Sequence, residues 1–380
     1  MTRWKPRFLA LIAMSSLLSS ACEEKHTSTT SGTAGDAGVG ADKYAAADPK
    51  LARALQAAAS SAPSSDHGPP PDGVFPPGAA DQRHPRTSPA NVDLISAGSE
   101  PRVLLGARTD GGAEASDIAR SKSYGPAFLE VMMQRGRNAF PSVDLALSVG
   151  PAKRDDGGAD WLVGDVKRTE LARSQPGQLP PGVEKEMATL TGSSARVRVT
   201  PDGRTGQDQS DLAKGAIPDL QPLAGMVGEA LGLATVPCPS QAVGVGAQWI
   251  AEVRTSITGI DVIEYRAYQL KSIDLDRLHL TVNIKAYACS KNETFAGAPR
   301  DATVEQFDGE GKAELDLVRG EILARSATVN EHAVVFLRLA PESNPQGTQG
   351  QQPAGAIPIE LQNQFAFARG DSLRAANRAQ

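Results

Sequence analysis

Aromatic side chains make up only 4% of the 380 residues, and the chain holds just three cysteines and five histidines. Each scarcity excludes something. His26, His67 and His84 fall in a polar N-terminal stretch, which leaves His279 and His332 for the rest of the chain. His279 lies on the polar side of an alternating run and His332 beside a turn signal, so both read as solvated surface residues. No HExxH, GxSxG or SxxK spacing occurs, which removes the ligand set of zinc hydrolases and the common serine nucleophiles. The stretch Gly309-Glu310-Gly311-Lys312 lacks the full spacing of a phosphate loop and the Ser/Thr after its lysine, and reads as a turn. No catalytic residue, metal site or cofactor is assigned, and the protein is not expected to be an enzyme. The net charge is −5, and no lysine/arginine stripe interleaves with stacking aromatics, which argues against a nucleic-acid partner. No apolar run reaches the about 20 residues that a membrane-spanning helix needs.

What the chain does have starts at its first residue. Arg3, Lys5 and Arg7 precede an apolar run from Phe8 to Leu18, followed by Ser19-Ser20-Ala21-Cys22. A basic start, a short apolar core, small residues and then a cysteine resemble a bacterial lipoprotein signal peptide. The family pattern is Leu, a small residue, Gly or Ala, then the lipid-bearing Cys. Ser20 and Ala21 fit it, while Ser19 stands where Leu is usual and Leu18 one place earlier. The resemblance implies cleavage before Cys22 and acylation of its thiol, with two or more chains needed for stable anchoring. Glu23 follows instead of an inner-membrane-retention Asp, which points to the outer membrane. The expected location is therefore extracytoplasmic, anchored to a bacterial membrane through the N-terminal lipid.

Residues 23–100 are dominated by Ala, Ser, Thr, Gly, Pro and Asp, too poor in apolar side chains to offset the entropy of ordering them. They read as a disordered tether, with an Ala-rich Tyr44–Ser60 stretch and a proline run at Pro69-Pro70-Pro71. Residues 101–370 hold almost all the large side chains and form the expected domain, followed by a tail at 371–380. Period-two alternation dominates there. Val143, Leu145, Leu147 and Val149 form one series, Ala195, Val197 and Val199 another, Leu278 to Ile284 a third, and Val334 to Leu339 a fourth. Turn signals at Asp155-Asp156-Gly157-Gly158, Asp202-Gly203, Asp308-Gly309 and Arg319-Gly320 separate them. Leu220, Leu223, Ala224, Val227, Ala230 and Leu231 share one helical face over 219–232, with Asp219 as cap and Gly232 as stop. A weaker helix spans Val183–Thr191. The fold expected is mainly antiparallel β, an α+β arrangement in which a curved open sheet or half-barrel carries one packed helix. Two similar halves, 101–215 and 235–370, would flank that helix.

Once Cys22 takes lipid, Cys238 and Cys289 remain as a pair in an oxidising compartment, and a disulfide is the expected outcome, closing about fifty residues for about 2–4 kcal/mol. Trp249, Tyr265 and Tyr268 are candidate ligand-contact residues, with Tyr265 and Tyr268 on opposite faces of a strand and one of them exposed. Trp161 is a further groove candidate. Asp274 with Asp276, and Asp155 with Asp156, are the only close carboxylate pairs read as candidates for glycan chemistry. The runs Val243–Trp249 and Phe307–Lys312 leading to Leu315-Asp316-Leu317 resemble a family of uncharacterised bacterial envelope lipoproteins over about 195–340. That resemblance implies an extracytoplasmic β-rich domain and no particular activity. The expected role is non-catalytic binding, of an apolar ligand or lipid in the curve of the sheet or of an envelope protein partner. The alternatives are a carboxylate-dependent cell-wall or glycan hydrolase and a structural component of an envelope complex.

Overall fold

Apolar side chains on alternate residues build twelve strands into one antiparallel, open sheet, with a two-residue strand β3 (Asn138–Ala139) beside β2. A computed structural model of the chain describes residues 70–105, 124–136, 138–139, 141–152, 160–172, 182–200, 202–292, 302–339 and 356–370. The leader with Cys22, the Ala-rich stretch, the Asp155-Asp156 turn and the tail lie outside the described residues.

Two meanders make the sheet. The first runs through β2 (Gly125–Arg135), β4 (Val143–Ala152), β5 (Asp160–Leu171), β6 (Ser194–Val199) and β7 (Thr205–Asp211). The second runs through β8 (Gln248–Ile257), β9 (Ile260–Asp274), β10 (Arg277–Ala288), β11 (Ala302–Val318), β12 (Ser326–Leu339) and β13 (Ile357–Arg369). They join where β13 pairs with β2, and β1 (Asn91–Ser96) adds to β8. The two meanders lie within 101–215 and 235–370, and both belong to one sheet. The sheet's edges approach each other at one point, where the Ala90 amide donates to the Thr205 carbonyl at 2.8 Å.

One face of this sheet surrounds helix α3 (Gln221–Ala234), and we call it the inner face. Helix α3 is buried along Ala224 and Met226–Ala234, so it is apolar nearly all round, as a helix enclosed by its neighbours must be. It packs against Leu162, Ala195 and Val197 of the first meander and Val253 of the second in one continuous core. The helix begins differently from expectation. A 3₁₀ turn, Pro218–Leu220, leads into it and no side chain caps it, so Asp219 is not the cap. It also runs past Gly232 to Ala234, because its last carbonyls find partners elsewhere: Thr235 N and Oγ1 donate to Leu231, and Arg266 Nη1 donates to Gly232 at 3.0 Å. The weaker helix is present as α2 (Val183–Ala188), which buries Val183 and Met187.

The tether boundary needs correction. Residues 70–100, read as spacer, are folded onto the sheet: Val74 joins the inner-face apolar residues, Phe75 to Ala80 lie on the outer face, and 91–96 are strand β1. The segment 72–75 bonds to both Ala288 and Phe307, and Phe75, Ala79 and Ala80 of helix α1 (Ala79–Arg83) cover Ile263, Tyr265 and Ala267. Arg254 fixes this segment, donating to Asp81 at 2.6 Å, to the His84 carbonyl at 2.9 Å and to Asp261 at 2.7 Å. His84 is buried rather than solvated. The few apolar residues suffice because the sheet supplies the other half of their contact.

Residues 307–312 also depart from expectation. They form no turn but lie inside β11, and His332 lies mid-strand in β12. Gly309 and Gly311 are there for space. A Cβ on Gly309 would meet Phe307 Cε1 at 2.6 Å, and one on Gly311 would meet Glu331 Cγ at 3.1 Å. At the β9–β10 hairpin, Leu275 is 97% exposed and left-handed at φ 58°. A branched side chain there costs free energy with no contact in return, so Leu275→Asn is expected to stabilise by about 0.5–1 kcal/mol. An unchanged or lower urea midpoint would show that the turn carries no such strain.

A buried polar row as candidate functional site

Charged residues interrupt the inner face where apolar ones are expected. On β9 the inward series Ile260, Val262, Tyr268 and Leu270 is broken by Glu264 and Arg266. On β12 the series Ala327, Val329, Ala333 and Val335 is broken by Glu331, and on β13 Asn363 stands between Leu361 and Phe365. Register brings these positions into two neighbouring rows. One runs Arg266, Ile284, Gly311, Glu331, Asn363, Met133 from β9 to β2. The other runs Glu264, Ala286, Gly309, Ala333, Leu361, Arg135 across the same strands. Directly paired residues point to one face, so the polar groups converge behind the glycines of β11. Helix α3 adds Glu229 from the opposite side.

These groups are unequally satisfied. Arg266 Nε donates to Glu264 Oε2 at 2.7 Å, and both side chains are almost wholly buried. Burial works against the arginine's charge, but Glu264 outweighs it and raises the guanidinium above its ordinary value. Ser256 Oγ donates to Glu229 Oε1 at 2.7 Å, and the Thr258 backbone also bonds to this carboxyl. Glu331 and Asn363, paired across β12 and β13, bond to each other through their side chains. Burial pushes the Glu229 carboxyl up to about 8, with Asp208 and Glu264 adding to it and Ser256 opposing. Glu331 is also raised well above the ordinary carboxyl value, by burial first and then by Glu264 and Glu229. The Glu229 side chain is therefore held largely as a neutral acid near pH 7.

Beyond the row from helix α3 lies a second apolar cluster. It includes Ile260, Val262, Ala286, Val304, Phe307, Ala333 and Val335, and no described helix crosses it.

The aromatic candidates do not form one surface. Trp249 and Tyr268 stack on the inner face with centroids 5.3 Å apart, and Trp249 Nε1 donates to the Pro237 carbonyl at 2.9 Å. Tyr265 lies on the other face, edge-on to Tyr287 at 5.7 Å. The opposite faces are as expected, but neither tyrosine is exposed, because residues 75–83 cover the outer one. Trp161 is buried too, with the Arg196 guanidinium 5.2 Å from its ring.

The disulfide is absent. Cys238 and Cys289 are not at bonding distance, and the sheet explains it. Cys238 packs in the inner-face core with Trp249, whereas Cys289 packs on the outer face with Phe75 and Ile263. Burial pushes the Cys238 thiol up to about 12. Asp274 and Asp276 flank the exposed hairpin tip and face no cleft acid, and His279 sits at the surface beside Asp316 at 3.0 Å.

Reading each strand's alternation for its apolar members alone misses the polar row. A charged residue in the apolar phase of a strand is the signal that finds Glu264, Arg266, Glu331 and Asn363. Compared with known proteins, the chain matches no protein-family model and no curated protein.

Proposed function

We propose that this protein is an extracytoplasmic, lipid-anchored binding protein that holds an apolar ligand against the inner face of its sheet. The leader and Cys22 support the address, and residues 23–69 provide the reach. The observation that carries the binding role is the second apolar cluster, which shares a face with helix α3 yet lies apart from it behind the polar row. Helix α3 fills its own end of the curve, so the ligand belongs to the other end. Apolar walls with a few convergent polar groups are what small-molecule sites are made of. Native mass spectrometry of the full mature protein, extracted mildly from its membrane, is expected to show a lipid-sized adduct that organic extraction removes. Bare protein under every mild condition would overturn the reading.

A further inference from the structure

Outside the polar row, His84 lies buried in the segment that crosses the outer face. It is 1% exposed, and its Nε2 has no hydrogen-bond partner among the described residues. The charges around it balance without it. Arg83 of the segment pairs with Glu252 of β8 at 3.1 Å, and Arg86 with Asp261 of β9 at 2.7 Å. Arg254 of β8 pairs with Asp81 of the segment at 2.6 Å and with Asp261 at 2.7 Å. Three guanidinium groups thus meet three carboxylates. From β6, Arg198 donates to the Thr87 carbonyl at 3.4 Å, and from β7 Asp208 faces Asp261, which adds one group of each sign. Burial raises the Tyr265 and Tyr287 phenols beside Arg83, so both stay protonated and neutral. An imidazolium at His84 would be an uncompensated buried cation, and its Nε2–H would meet no acceptor among the described residues.

We propose that residues 75–88 form an acid-released latch, which protonation of His84 lifts from the outer face while the sheet stays folded. Chain that belongs to the sheet holds the latch at both ends, through the Val74 bridge to Ala288 before it and β1 after it. Between those ends the latch gives the outer-face cluster only Phe75, Ala79 and Ala80. Lifting it therefore breaks the ionic clasp and three apolar contacts without opening the core, which puts it among the local openings that precede global unfolding. Burial first, then Arg254 and Arg83, lower the imidazole from 6.5 to about 4 in the closed form. A depressed closed-state value means that the open form gains the proton first, so falling pH drives opening through that window. Opening uncovers Ile263, Tyr265, Ala267 and the Cys289 thiol. Cys238 lies in the inner-face core, which the latch does not touch.

The two thiols make the test. The full-length protein is labelled with dithiodipyridine, which reacts with thiols in acid as well as at neutral pH, and each cysteine is read by peptide mass spectrometry. Each rate is divided by that of the urea-unfolded chain at the same pH. From pH 7 to pH 5 the Cys289 rate is expected to rise roughly twentyfold, the linkage ratio for an imidazole at 6.5 when open and about 4 when closed, while Cys238 stays protected. His84→Gln, which cannot gain a proton, should make the Cys289 rate flat across that range. Equal acceleration at both cysteines would mean that the whole sheet unfolds, and no acceleration would mean that His84 does not resist its proton; either overturns the latch. The same rise in His84→Gln would overturn His84 as the trigger. The comparison of the two cysteines in the wild-type protein needs no variant, so it decides the matter even where His84→Gln fails to fold.

Discussion

Glu229→Gln is expected to remove most of the stability that the wild-type protein loses as pH rises. The reason is the carboxyl's position on helix α3, fully inside the sheet, where Ser256 bonds to it but burial dominates. Its pKa moves from the ordinary 4.5 to about 8 on folding. A raised folded pKa means that the native state holds a proton which the unfolded chain releases above pH 4.5. The group's contribution is therefore intact below that value and lost as pH climbs through about 8. The ceiling on the loss is on the order of 5 kcal/mol, at 1.36 kcal/mol per pH unit. Glutamine keeps the shape and the Ser256 acceptor without the charge. Urea unfolding should thus give nearly equal stabilities for the two proteins near pH 5 and a clear advantage for the variant near pH 9, with Glu331 contributing the remaining slope. Parallel curves across that range would show that folding leaves the proton affinity of the Glu229 carboxyl unchanged.

His84 shapes the acid side of the same curve. Burial lowers its imidazole to about 4, with Arg254 and Arg83 adding to the effect. A depressed folded pKa acts in the opposite sense: its contribution is present above 6.5 and is lost as pH falls through about 4. Wild-type stability should consequently peak at mildly acid pH, where His84 is still neutral and Glu229 still protonated.

Alternation by itself makes β4, β6, β10 and β12 legible, since each has one inward and one outward face. It also implies an open antiparallel sheet with one packed helix, and the protein has that architecture. The same rule fails where both faces are covered. Residues 70–100 look too polar to fold because their apolar partners, Ile263, Tyr265 and Ala267, lie far along the chain on β9. Gly309 and Gly311 carry every local mark of a turn. What holds them extended is pairing on both sides, with Ala286 and Ile284 of β10 and with Ala333 and Glu331 of β12, which a turn signal does not register. Counting cysteines pairs Cys238 with Cys289, whereas the sheet separates them, and nothing in their spacing encodes which face each occupies. The candidate site is half visible in the chain: Glu264, Arg266, Glu331 and Asn363 each break an apolar series, but only the register across five strands joins those breaks into a row.

That row gives a second large expected effect. Arg266→Met should destabilise the protein by about 3–5 kcal/mol, because it leaves Glu264 charged and buried without its partner. The loss has two physical parts that a double variant separates. Arg266 neutralises Glu264 through Nε and also serves the Gly232 carbonyl, one of the last four of helix α3, through Nη1. Adding Glu264→Gln to Arg266→Met removes the uncompensated charge but not the need of that carbonyl. The double variant should therefore recover most of the stability and remain about 1–3 kcal/mol below wild type, the cost of one buried acceptor left without a donor. Full recovery would mean that the helix end does not depend on Arg266. A double variant no better than the single one would mean that capping, and not charge, is the arginine's role. Denaturant midpoints for the four proteins of this cycle, taken at one pH below 8, decide between them.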